Sequence, residues 1–245
     1  MTGAQGEDAV CSNDQTESWR KQYAEIAELA GGLAHEIRNP LSTIRLNVEL
    51  LREDLAHAED PSSRRTLRRA DRVHQETVRL ESVLNDFLQF ASANRVNAEA
   101  CDLSELTREF AAFLTAEAES QGVEVRTHLP TGLPAVQCDA ALMRQVFGNL
   151  CRNALAAMPV GGVLEIGTRR DGEFILLEVI DTGRGMTAAE QGKMFDAFYS
   201  HGTRGGSGLG LPTVRKIIEA HDGTIECDSE PGRGTRFRVR LPVVA

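Results

Sequence analysis

The chain has 245 residues, of which 41% are hydrophobic, and a formal net charge of −9 from 27 basic and 36 acidic side chains. That composition is globular and excludes a fibre or a wholly disordered chain. Residues 1–100 hold 12 basic against 17 acidic groups and residues 101–245 hold 15 against 19, so neither part suits a general nucleic-acid binder.

The sequence contains no run of 18 or more apolar residues, the length that would span a bilayer. The five cysteines are scattered, odd in number and without a C-x-x-C pair, which reads as a reduced, cytoplasmic protein. Residues 1–18 are polar and acidic and read as a flexible leader rather than a secretory signal.

From Trp19 to His57, Ile26, Leu29, Leu33, Ile37, Leu41, Ile44, Val48, Leu51 and Leu55 recur at steps of three or four, the stripe of a long amphipathic helix. Ala58–Ser63 is a turn signal around Pro61. A second helix is expected over Arg64–Ser92, with Leu67, Ala70, Val73, Thr77, Leu80, Leu84 and Phe87 facing inward. A short connection makes the pair an antiparallel hairpin, and one hairpin cannot bury so long a stripe. Two copies can, so the pattern predicts a homodimeric four-helix bundle over residues 19–95.

After a linker at 96–101, glycines recur and short apolar runs alternate with turns. Asp102 and Glu105 have capping-box spacing ahead of a helix to Gln121. Val123–His128 is expected as a strand and Asp139–Met158 as a helix. Val163–Arg169 and Glu173–Ile180 are expected as strands joined at Asp171-Gly172. Pro212–Ala220 is a short helix, and Thr224–Asp228 and Thr235–Leu241 are closing strands. The order favours an antiparallel-rich sheet with helices on one face, an α+β two-layer sandwich over 102–245.

Two constellations carry chemistry-bearing residues. In His35-Glu36-Ile37-Arg38-Asn39-Pro40, His35 lies about 200° from Leu33 at 100° per residue and so projects away from the apolar stripe. A lone exposed histidine is commonly just surface. Here Glu36 is adjacent, where it can orient or deprotonate the ring, and Asn39 stands one turn on. Pro40 deprives the Glu36 carbonyl of its helical partner and should kink the helix, at a cost of about 3 kcal/mol. Zinc-protease chemistry is excluded because H-E-x-x-H would need histidine at 39.

The second constellation lies in the α/β half. Asp181-Thr182-Gly183-Arg184-Gly185 follows a strand, where a carboxylate can accept a hydrogen bond from an exocyclic amine such as that of adenine. Gly205-Gly206-Ser207-Gly208-Leu209-Gly210-Leu211 runs into Pro212, and a glycine loop feeding a helix N-terminus offers N–H groups to phosphate. It has no G-K-[ST] and is not a Walker loop. Asn149 and Asn153, one turn apart, read either as an exposed polar face or as joint holders of Mg2+ with phosphates, and Arg152 can add a phosphate contact.

With these residues in place, the sequence resembles the bacterial sensor histidine kinases of two-component signalling. His35–Pro40 matches the phosphoacceptor motif, Asn149–Ala154 the N box, Asp181–Gly185 the first glycine box, Phe195–Phe198 the F box, Gly206–Leu211 the second glycine box and Gly232–Thr235 the closing G-x-G-T.

The resemblance covers residues 19–244. It implies a dimeric phosphoacceptor hairpin and an ATP-binding sandwich of the Hsp90 and gyrase kind. It also implies His35 as nucleophile, Glu36 as its base and Asn153 on Mg2+, with Asn149 and Arg152 at the phosphates. Asp181 would read adenine, with Gly183 and Gly185 shaping the base pocket and Gly206, Gly208, Leu209 and Gly210 wrapping the phosphates. The phosphoryl group would pass to an aspartate of a response-regulator receiver domain, and Asn39 would position water for the reverse, phosphatase reaction. A non-enzymatic dimeric adaptor is the alternative.

Two departures stand out. The stretch after the F box, Tyr199–Gly205, is one residue longer than the family pattern, with Arg204 the candidate to replace a lysine near the γ-phosphate. Upstream of the hairpin stand about 18 residues where relatives carry sensory domains or membrane helices. A separate sensor protein, a fragment, or a leader that docks by Trp19 would each account for that. Arg64, Arg65, Arg68, Arg69 and Arg72 form a basic stripe that reads as a solvated face or as steering toward an acidic regulator.

Overall fold

The computed structural model describes residues 37–55, 60–92, 96–199 and 207–244. They fall into two compact units that divide between Ser92 and Ala93.

The first unit is the helical hairpin. Helix α1 takes in residues 37–55 and runs through Pro40; the Glu36 carbonyl that should be orphaned there lies outside the described residues. Helix α2 spans Pro61–Ser92. It begins three residues earlier than the turn signal suggested, because Asp60 Oδ1 accepts from the backbone N–H groups of Ser62 and Ser63 at 2.9 Å each. Asp60 is thus an N-cap and Pro61 the first helical residue, where its missing N–H costs nothing. Arg38 donates to Asn85 at 2.8 Å and Arg52 to Asp71 at 2.7 Å. Fourteen residues up α1 correspond to fourteen down α2, which is the register of an antiparallel pair. Arg45 pairs with Glu81 between those two contacts.

Only Ala70, Thr77 and Ala91 of α2 are buried, whereas Ile44, Leu51, Val73 and Leu80 of the apolar stripe remain more than 40% exposed.

The second unit is the two-layer sandwich. Helix α3, Leu103–Ser120, starts at Asp102, whose side chain accepts from the N–H groups of Ser104 and Glu105. Glu105 pairs with Arg108. Strand β1, Glu99–Cys101, pairs antiparallel with β3, Val136–Cys138. Residues 99–101, expected as part of a linker, are therefore strand; three residues are too few for an alternating pattern to show.

Strand β2 is Val123–His128, helix α4 is Ala140–Ala157 capped by Asp139, and β4 and β5 are Gly162–Asp171 and Phe174–Asp181. A one-turn helix α5, Ala188–Gln191, was not foreseen. Helix α6 is Gly210–Ala220, and β6 and β7 are Thr224–Glu230 and Gly234–Pro242.

The five-stranded sheet runs β2-β4-β5-β7-β6, with only β2 and β4 parallel. Alternation sorts its two faces. Leu164, Ile166, Ile175, Leu177, Val239 and Leu241 point to one side and are wholly buried with Phe147, Met143, Leu150 and Ile217 of the helices. Phe147 stacks on Phe110 with ring centroids 5.5 Å apart.

The opposite face is a charge ladder. Arg238 meets Asp228 at 2.6 Å and Glu226 at 3.4 Å, Arg240 meets Glu226 at 2.7 Å and Asp171 at 3.2 Å, and Arg126 pairs with Glu124 and Glu165.

Candidate functional site

The residues singled out in the second half fall into two groups, one at the end of β5 and one where α4 meets α6. Asp181 closes β5, paired with Leu164 of β4 and Thr235 of β7, and its side chain is 5% exposed. Its Oδ1 accepts from the Gly183 N–H at 2.8 Å. Burial pushes the Asp181 carboxyl above the ordinary carboxylate range, and the backbone donors of Gly183 and Thr235 oppose that push. A carboxylate holds about four lone-pair sites, so acceptor capacity remains for an amine donor.

The first glycine box is stitched between two elements. Arg184 N–H donates to the Ala157 carbonyl at 3.2 Å at the end of α4, and Gly232 N–H donates to the Arg184 carbonyl at 2.7 Å in the β6–β7 turn. Gly185 has φ +65°, and a Cβ there would run into the Glu230 carbonyl. Glycine is required on both counts.

A brace not found from sequence holds the next turn. Glu190 accepts from Thr187 N–H at 2.7 Å, Thr187 Oγ1 at 2.8 Å and Arg184 Nη1 at 2.8 Å. The Thr187 backbone donor first, then Arg184 and the Thr187 hydroxyl, lower its carboxyl to about 2. The signal was present as Thr187-Ala-Ala-Glu190, a capping box.

Helix α4 carries the next group. Asn149 is 6% exposed, donates from Nδ2 to the Gly210 carbonyl at 3.3 Å, and accepts on Oδ1 from Arg152 Nη2 at 2.5 Å. Arg152, expected at phosphate, is therefore tied to Asn149 in this structure. Asn153, one turn on, is exposed.

The second glycine box meets α4 through the Asn149–Gly210 contact. Gly208 has φ +71°, and a Cβ would sit 2.5 Å from the Phe198 carbonyl carbon. Phe198 N–H donates to the Gly208 carbonyl at 3.0 Å, and Phe198 itself has φ +66°, uncommon for a bulky residue. Leu209 is fully buried and precedes α6 without a side-chain cap. The helix starts at Gly210, two residues before the expected Pro212, because the Leu209 carbonyl already accepts from Thr213 N–H at 2.9 Å. The Leu209 N–H donates to Ser207 Oγ at 3.3 Å, while the Leu209 side chain caps nothing, so the positive end of the helix is not neutralised by a carboxylate among the described residues.

Asn39 lies in α1 and is exposed. His35, Glu36, Arg204 and Gly206 lie outside the described residues. Among the described residues no cluster of three or more His, Cys, Asp or Glu could hold a metal ion, and no helix is long and apolar enough to cross a membrane.

Comparison with known proteins accounts for this arrangement. Residues 25–96 match the His Kinase A (phospho-acceptor) domain, and residues 138–245 match the histidine kinase-, DNA gyrase B- and HSP90-like ATPase. The chain belongs to the sensor histidine kinases.

Among curated relatives, the alginate biosynthesis sensor protein KinB of Pseudomonas aeruginosa is 33% identical over 215 residues, 86% of this chain and 36% of KinB. Sporulation kinase E of Bacillus subtilis is 32% identical over 89% of this chain and 29% of its own. Sensor histidine kinase ZraS of Escherichia coli is 31% identical over 94% of this chain and 48% of its own. The chain thus spans less than half the length of these relatives.

Among solved structures, full-length ShkA in complex with AMPPNP superposes with a TM-score of 0.70 at 25% identity, over 89% of this chain and 46% of ShkA. The nucleotide-free catalytic domain of histidine kinase ThkA gives 0.54 at 25% identity, over 60% of this chain and 96% of its own.

Proposed function

We propose that the chain is an ATP-dependent protein-histidine kinase that phosphorylates its own His35 and passes the phosphoryl group to an aspartate of a response-regulator receiver domain. The observation that carries this reading is the buried Asp181 carboxylate at a strand end, set in the same unit as Asn149 and the uncapped start of α6.

In this reading Asp181 accepts from the exocyclic amine of adenine, and the first glycine box, held by Gly183 and Gly185, lets the base approach. The N–H groups around Gly208, Leu209 and Gly210, with Gly206 and Arg204, take the phosphates. Asn149 keeps the α6 terminus in place, and Arg152 is released from it toward phosphate.

Mg2+ fits this site. It dehydrates reluctantly and binds through phosphates with few protein oxygens, and the exposed Asn153 carboxamide is such an oxygen. When bound, it neutralises charge on the phosphates. His35 attacks the γ-phosphorus as the bond to ADP breaks, and Glu36 accepts the imidazole proton. Positioning and charge neutralisation supply most of the acceleration in such transfers.

The exposed stripe of the hairpin is covered by a second copy in a homodimer, and Asn39 orients water for regulator dephosphorylation. Input from a separate sensor protein is compatible with this reading. ATP is an intracellular substrate, so the reading sets both units in the cytoplasm.

Incubation of the chain with γ-labelled ATP should give an acid-labile, alkali-stable label. His35→Gln should abolish the label while nucleotide binding persists. A His35→Gln protein that labels at the wild-type level overturns the assignment.

A further inference from the structure

Helices α4 and α6 are pinned to each other by polar contacts at two levels. Near the nucleotide site, Asn149 Nδ2 meets the Gly210 carbonyl at 3.3 Å. At the far end, the Asp139 N–H donates to His221 Nε2 at 2.9 Å. Ten residues down α4 correspond to eleven up α6, so the two pins lie about 15 Å apart on antiparallel helices.

His221 is 5% exposed and caps the C-terminus of α6. Its Nδ1 stands 2.7 Å from the Ile217 carbonyl, which can only accept. Nδ1 therefore carries the proton and Nε2 is the bare acceptor, so one neutral tautomer fits both contacts. Asp139 is itself a junction. Its Oδ1 caps α4 by accepting from Ala141 and Leu142 N–H, and its Oδ2 accepts from the Asn97 N–H at 3.0 Å. Burial tends to raise this carboxyl, but the donors of Asn97, Leu142 and Ala141 hold it below its ordinary value.

We infer that Asp139 and His221 are positioning residues for nucleotide binding, fixing the helix that carries Asn149 and Asn153 against the helix whose N-terminus receives phosphate. The inference rests on the nucleotide reading of that site. Neither residue is placed at the ligand. Both act by setting the height of one helix against the other, and a slip of a single residue, about 1.5 Å along the axis, would part Asn149 from Gly210. Removing the acceptor leaves the part-buried Asp139 N–H without its partner, which costs up to the scale of a lost hydrogen bond.

The test titrates Mg·ATP into the full chain carrying His221→Phe or His221→Gln, well below each variant's melting temperature. His221→Phe keeps ring volume and loses both polar contacts, and should weaken binding about tenfold. His221→Gln retains an oxygen acceptor near the Nε2 position and should stay within about twofold of wild type. Wild-type affinity in His221→Phe with only a lowered melting temperature overturns the inference, as does equal weakening in both variants. Failure of the wild-type chain to bind Mg·ATP removes the nucleotide reading itself, and the inference with it. Hydrogen exchange on the wild type needs no variant: Mg·ATP should increase protection of the Asp139 amide, and unchanged exchange there counts against the inference.

Discussion

The two units bury their apolar residues to very different degrees. In the sandwich, Phe147, Leu150, Ile166, Ile217 and Val239 have no solvent exposure. In the hairpin, Ile44, Val73 and Leu80 keep 46%, 47% and 53% of theirs. At about 25 cal/mol per Å2 of apolar area, the sandwich gains its core within one chain, whereas the hairpin leaves much of that gain to be realised by another surface. The sandwich therefore completes its apolar core within one chain, whereas the hairpin leaves an apolar face open to another surface.

The sharpest way to break this contrast is in the core. Phe147→Ala should destabilise the sandwich by about 3–5 kcal/mol, read as a fall in denaturation midpoint that does not depend on protein concentration. Leu80→Glu should act through assembly instead. Sedimentation is expected to shift from dimer toward monomer, with the near-UV signal of the sandwich retained; loss of that signal would contradict the separation of the two units.

The smallest effect concerns pH. Glu190 has a folded pKa depressed from 4.5 to about 2, so its contribution is complete above the unfolded value and is lost as pH falls through the folded one. Wild type should lose stability between about pH 4.5 and 2 relative to Glu190→Gln, and parallel acid profiles would show that the Thr187–Arg184 brace contributes nothing measurable.

Long elements with clear periodicity were legible. The bounds of β2 agree with its alternation, and α4 fills the expected span between Asp139 and Met158. The start of α2 was misplaced because the turn signal at Asp60-Pro61 is also a cap followed by a first helical residue. Strands β1 and β3 are three residues each, too short to show a period, and exist through pairing with each other.

Within the site, Asp181, Asn149 and the glycines carried local signatures. The Asp139–His221 contact did not, because it joins positions 82 apart and a lone histidine after a helix has no distinctive pattern. The Arg152–Asn149 bond depends on a side-chain rotamer and could not be read from spacing.

The charge ladder on the outer sheet face has a further effect. The edge strands β2 and β6 carry Glu124 and Arg126 on one rim and Glu226, Asp228 and Glu230 on the other. Charged rims discourage a neighbouring strand from adding to an open sheet. Two such molecules that collide through their sheets find no ready seam to extend, which leaves the uncovered leucines and isoleucines of the helices as the more adhesive place for like to meet like.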